Sequence, residues 1–161
     1  MAIEGELVSE GDVNMKVEVL LHSFDPLQAL IGWQRHLLEK GGSAPAAEWH
    51  FIGRVRESGI DGRALDCLEL QHYPGMTEAQ IRTIVLAGAH RHGVDAVMVI
   101  HRVGQLPKGE PIVLVAVAAD RRGPAMRCGQ EVLEALKHRA PFWKREWCDG
   151  EGVWLSGNTS L

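Results

Sequence analysis

Two runs rich in strand-forming residues, "DAVMVIHRVG" and "EPIVLVAVAAD", are separated only by "QLPKGE". Both read as strands, and a link this short, carrying Pro107 and Gly109, suits a hairpin and hence an antiparallel pair. The rest of the chain arranges itself around that pair. "MKVEVLLHSF" predicts a strand over residues 15–24. Asp25-Pro26 predicts a helix start, a capping side chain followed by proline in the first turn, and Gly41-Gly42 a stop. Between them Leu27, Leu30, Ile31, Leu37 and Leu38 recur at helical spacing. "EWHFIGRVRE" alternates, with Trp49, Phe51, Gly53 and Val55 on one face and His50, Ile52, Arg54 and Arg56 on the other, which sets two arginines on one side of a strand end.

A glycine-rich turn over residues 59–63 leads to a strand in "ALDCLELQHY". Pro74-Gly75 turns the chain, and Thr77 with Gln80 predicts a capping box for a helix reaching about His92. Gly123-Pro124 opens a last long helix, which should give out at residues 138–140 ahead of Pro141, and "GVWLSG" reads as a closing strand. The order β-α-β-β-α-β-β-α-β predicts one α+β domain over residues 15–161, with a largely antiparallel sheet and about three helices. Residues 1–14 are polar and acidic and are expected to be partly disordered.

Composition narrows the function classes. With 45% apolar and 24% charged residues in 161, the chain has the balance of an ordinary globular protein. No apolar run is long enough to span a bilayer and no basic-then-apolar leader opens the chain, so a cytoplasmic location is the expectation. Cys67, Cys128 and Cys148 form no close pair and read as buried or incidental thiols. A net charge of -4 argues against a general nucleic-acid binder. Yet residues 121–145 hold seven Lys or Arg against two acids, a local +5 that leaves -9 on the rest of the chain. A basic segment in an acidic protein points to a specific anionic ligand.

Nucleophile elbows, Walker loops and zincin motifs are absent. His90 and His92 point to different helix faces, and His72 and His101 read as strand histidines with satisfied hydrogen bonds, so no metal site is expected. The basic set is the informative one: Arg54, Arg56, Arg121, Arg122, Lys137, Lys144 and Arg145. Arginine offers a planar fork for phosphate or carboxylate, whereas a lysine crowded by other cations gives up its proton and can act as nucleophile, base or proton donor. Lys137 and Lys144 flank "HRAPFW". Pro141 places Lys137 in a last helical turn and Lys144 on an extended segment that can fold back toward it.

The blocks "FIGRVR", "LELQHYPGMTE", "VIHRVGQLPKGE", "VLVAVAADRR" and "LKHRAPFWKRE", in this order over about residues 51–154, resemble the large, catalytic subunit of molybdopterin synthase. The resemblance implies an α/β-hammerhead-like fold and a sulfurtransferase of molybdenum cofactor biosynthesis. Such an enzyme converts cyclic pyranopterin monophosphate to molybdopterin, taking sulfur from the thiocarboxylated Gly-Gly tail of a small ubiquitin-like carrier subunit. It implies no resident cofactor and a heterotetramer, a homodimer of large subunits with one carrier at each end. The chain itself shows no Gly-Gly terminus, so the carrier is expected in trans.

Residue by residue, the resemblance puts the family's essential lysines on Lys137 and Lys144. Lys137 is then the candidate for amine chemistry with the carrier's terminal carbonyl or the pterin, and Lys144 for proton donor or anion clamp. It makes Phe51, Arg54, Val55, Arg56, Arg121, Arg122, Arg145 and Glu146 substrate-binding. This chain departs from the pattern at Arg121, where a histidine is common, at Met126, where phenylalanine is, and at Asn158, where basic residues are. The alternative implied by those departures is a carrier-binding relative of the same fold without chemistry.

Overall fold

The structure is a computed structural model and describes residues 8–156. Its elements run β1 (Val8–Glu10), β2 (Val13–Leu20), α1 (Pro26–Gly41), β3 (Ala47–Arg54), β4 (Cys67–His72), α2 (Met76–His92), β5 (Ala96–Arg102), β6 (Gly104–Pro107), β7 (Pro111–Ala119), α3 (Arg122–Arg139), β8 (Phe142–Cys148) and β9 (Glu151–Trp154). They form two sheets, β1-β2-β5-β7-β3 and β6-β4-β8-β9. All strand pairs are antiparallel except β2 with β5. This is the expected α+β class with three helices, divided over two sheets instead of one.

The two apolar runs do pair antiparallel, from Ala96 opposite Ala118 to His101 opposite Val113. The segment between them does more than turn. Gly104, at a φ of 92° that side-chain-bearing residues rarely adopt, swings the chain out of the first sheet, and β6 pairs with β4 in the second. A strand hidden in a link with a proline and few β-branched residues carries no periodic signal of its own.

Alternation along β5 and β7 feeds two cores. Val97, Val99, Val113, Val115 and Val117 face α2 and α3, whereas Ala96, Met98, Ile100, Leu114, Ala116 and Ala118 face α1. Asp25 caps α1 by accepting from the Leu27 and Gln28 amides, Pro26 fills the first turn, and Gly42 closes it in the left-handed conformation, as expected. The buried stripe of α1 is Pro26, Leu30, Trp33 and Leu37, at steps of four and three. Leu27, Ile31 and Leu38 fall beside it and stay exposed.

Three local expectations are corrected. The strand predicted over residues 15–24 ends at Leu20, because the chain bends there to bury Phe24 against α1. Residues 8–10 and 13–14, expected within a partly disordered segment, lie in β1 and β2, while residues 1–7 lie outside the described residues. The α2 cap sits two residues before Thr77: the Glu78 carboxylate accepts from the Gly75 amide at 2.7 Å, and the Thr77 hydroxyl accepts from the Tyr73 amide at 3.1 Å, so Gln80 is not the capping partner.

Candidate active site

A cavity of about 320 Å³ opens where the end of β3, the last turn of α3 and β8 converge. Pro141 creates this junction. It ends α3 at Arg139 with Ala140 extended (φ -78°, ψ 134°), and the chain re-emerges at once as β8, zipped antiparallel to β4. Lys137 therefore projects from a helix end and Lys144 from a strand, and both line the cavity.

Along β8 the two-residue period sorts the side chains. Phe142, Lys144 and Glu146 line the cavity. Arg145, one residue on from Lys144, points to the opposite face, its guanidinium carbon 4.2 Å from the centroid of the Trp147 ring and 5.2 Å from that of Trp154. Arg145, expected to bind substrate, therefore lies on the face of β8 turned away from this cavity and is not among its lining residues.

The opposite wall comes from the end of β3, where pairing with β7 becomes irregular between Gly53 and Arg54. Arg54, Val55 and Arg56 all line the cavity. The segment is pinned to the β6–β7 link: the Val55 amide donates to the Glu110 carbonyl at 3.0 Å, the Gly109 amide to the Val55 carbonyl at 2.9 Å, and Arg54 Nη1 to the Gly109 carbonyl at 3.4 Å. Phe51 contributes to the wall with its ring stacked on Trp49. Trp49 in turn lies over Gly129 of α3, where any Cβ would overlap the indole.

Charge is concentrated here. Burial, and then the charges of Lys137 and Arg56, push the Lys144 ammonium below the usual lysine range. Lys137 is part-buried, with Nζ 3.4 Å from Glu134 Oε1 one turn back on α3. Glu146 is almost fully buried, and its Oε2 accepts from the Ile60 amide at 2.9 Å. That bond ties the loop after β3 to β8, and a Cβ on the neighbouring Gly59 would come within 2.7 Å of the same oxygen. Glu146 thus lines the cavity while holding its rim.

Arg121 and Arg122 stand at the other end of α3, about 22 Å of helix from Lys137. The Arg121 side chain is 81% exposed and lies 3.5 Å from the Asp120 carboxylate. The structure does not bring this pair to the cavity of its own chain. Asn158 lies outside the described residues.

Sequence reasoning passed over two participants. Glu134 is one, and its signal was available in its i,i+3 spacing from Lys137. His101 is the other: it lines the cavity, yet it sits in a strand whose seven residues are all buried, so its pattern reads as core. Among the described residues, no group of three or more His, Cys, Asp or Glu could hold a metal ion, and no helix is long and apolar enough to cross a membrane.

Comparison with known proteins agrees with this architecture. The family model "MoaE: MoaE protein" matches residues 34–139. The molybdopterin synthase catalytic subunit of Escherichia coli (strain K12) is 41% identical over 110 residues, 68% of this chain and 73% of that protein. The subunit of the same name from Cereibacter sphaeroides is 40% identical over 126 residues, 78% of this chain and 84% of that protein. Among solved structures, the molybdopterin biosynthesis MoaE protein of Burkholderia ambifaria superposes with a TM-score of 0.72 at 31% identity, over 91% of this chain and 92% of that one.

Proposed function

The chain belongs to the MoaE protein family, and we infer from that membership and from the cavity that it is the catalytic subunit of a molybdopterin synthase, a sulfurtransferase. Its substrate in this reading is cyclic pyranopterin monophosphate, and its sulfur donor the thiocarboxylated Gly-Gly tail of a small carrier subunit supplied in trans. The observation that carries the reading is the delivery of Lys137 and Lys144 to one cavity from two elements broken apart at Pro141, with Arg54 and Arg56 on the facing wall.

Both the phosphate and the arriving tail are anionic. Four cations around a partly enclosed space favour binding both, and the arginine forks suit the phosphate. Lys137, at the helix end, is the amine set to meet the tail's terminal carbonyl, and the Glu134 carboxylate 3.4 Å away orients it. Lys144, with its proton already loosened, is the donor to the group that departs when sulfur adds to the pterin. In this scheme the reaction uses no resident cofactor. Two large subunits form the core of the assembly, and Arg121 and Arg122 can act on substrate only from the second of them. A cytoplasmic location belongs to the same proposal.

The test is reconstitution with a thiocarboxylated carrier and cyclic pyranopterin monophosphate, reading dithiolene product as its oxidised fluorescent derivative. We expect product with the native chain and none with Lys137→Ala. Carrier binding without product from the native chain would reduce the protein to a carrier-binding relative.

A further inference from the structure

We propose that His101 is a substrate-reading residue: its Nε2 is a fixed hydrogen-bond acceptor that takes an N–H or O–H from the heterocycle of the bound ligand. The inference rests on the cavity being the pterin site, and it adds to the charged residues already placed there a neutral acceptor.

The geometry leaves the ring little freedom. His101 Nδ1 lies 2.9 Å from the Arg102 carbonyl oxygen. A carbonyl only accepts, so Nδ1 carries the hydrogen and Nε2 keeps its lone pair. One face of the imidazole is covered by Phe142, with centroids 3.9 Å apart and planes 15° from parallel. The residue is 7% exposed and lines the cavity. With Nδ1 committed to the backbone and the face to Phe142, the Nε2 edge is what remains for the cavity. Burial, opposed by the bond to the Arg102 carbonyl, holds the imidazole's pKa down at about 4, and Lys144 and His72 add to the depression. The ring is therefore neutral at working pH and does not become a second donor.

A neutral acceptor beside Arg54, Arg56, Lys137 and Lys144 gains nothing from a carboxylate or from a cyclic phosphate diester, neither of which has a hydrogen to give at neutral pH. It matches the other part of a pterin monophosphate, whose ring system carries N–H and O–H donors. Discrimination of this kind is effective because a ligand lacking the donor leaves a buried acceptor unpaired.

The experiment measures equilibrium binding of cyclic pyranopterin monophosphate, and of dimethyl phosphate as a competitor without a hydrogen to donate, to the complex with carrier whose tail is an ordinary carboxylate, so that nothing turns over. His101→Phe keeps the stack and removes the acceptor, and His101→Gln restores an oxygen acceptor. Melting curves establish that both fold. We expect His101→Phe to raise the Kd of the pterin about fivefold while that of dimethyl phosphate stays within twofold, the loss of one neutral hydrogen bond, and His101→Gln to recover most of the difference. An unchanged pterin Kd in His101→Phe overturns the proposal, as does equal weakening of pterin and dimethyl phosphate, or a Gln variant no better than Phe. A native chain that binds no pterin ends this inference and the parent reading together. A native chain that binds pterin with the His101 dependence but makes no dithiolene removes only sulfur transfer.

Discussion

Lys144 and Arg145 are chemical neighbours, both cationic and both in "FWKRE", and they live in different environments. Lys144 shares a part-enclosed cavity with Lys137, Arg54 and Arg56, and its proton is loosened by burial and by those charges. Arg145 lies across the sheet between two tryptophans, in a face where the Trp147 indole donates to Glu69 Oε2 at 2.7 Å and, with Gln71, keeps that carboxyl below its usual range. One face of β8 sets Lys144 and Glu146 into a cavity crowded with cations. The other packs its arginine against tryptophan rings and is built to hold the second sheet together. Sign of charge therefore says little about role, and position in a two-residue period says much.

Substitutions can break this contrast. The largest expected effect is on turnover: Lys144→Ala and Lys137→Ala should each lower dithiolene formation by on the order of 10²-fold or more, whereas Arg145→Met should change it by no more than a few-fold per folded molecule. Comparable losses from Lys144→Ala and Arg145→Met would show that the two faces are not functionally distinct.

Acid sharpens the contrast between the cavity and the rest of the fold. His101 has a folded pKa near 4, below the ordinary 6.5, so the unfolded chain binds the extra proton first. The stability it contributes is complete above pH 6.5 and is lost as pH falls from there through 4, amounting to about 3 kcal/mol. Denaturant midpoints across that window should fall in the native chain and flatten in His101→Phe. An unchanged slope in the variant would remove His101 as the acid-sensitive group.

Smaller effects separate two neighbours on β8, Glu146 and Arg145. Glu146→Ala orphans the Ile60 amide and should cost about 1–3 kcal/mol in denaturant unfolding, with the cavity rim loosened. Glu146→Gln, which keeps an acceptor oxygen, should cost less. Arg145→Met is expected to cost only about 0.5–1 kcal/mol, the worth of a cation–π contact at a partly exposed site. A larger loss from Arg145→Met than from Glu146→Ala would invert the ranking of the two faces.

Much of this was legible from residues alone. Asp25-Pro26 and Gly42 mark the ends of α1 because their backbone requirements are local. Pro141 marks the end of α3 for the same reason, and with it the separation of the two lysines onto different elements. The antiparallel pairing of β5 and β7 follows from the shortness of what joins them. Less legible were features set by distant partners. That β6 belongs to another sheet depends on β4, more than thirty residues away. That Glu146 secures the Gly59–Ile60 turn depends on contacts across 86 residues. Arg145 is a different case, since the two-residue period of β8 puts it on the face opposite Lys144, and carrying a motif over as a block hides that.

What the sequence by itself determined is where elements start and stop and which residue types could do amine and anion chemistry, since caps, breakers and the functional groups a side chain carries are local properties. What only the tertiary structure decided is which of those residues share a space. Lys137, Lys144, Arg54 and Arg56 do, Arg145 does not, and Arg121 and Arg122 do not within one chain. Convergence is a long-range event: it depends on β4 and β8 pairing and on the β3 end being pinned to the β6–β7 link, and those contacts also set the burial that loosens the proton of Lys144 and keeps that of His101 off.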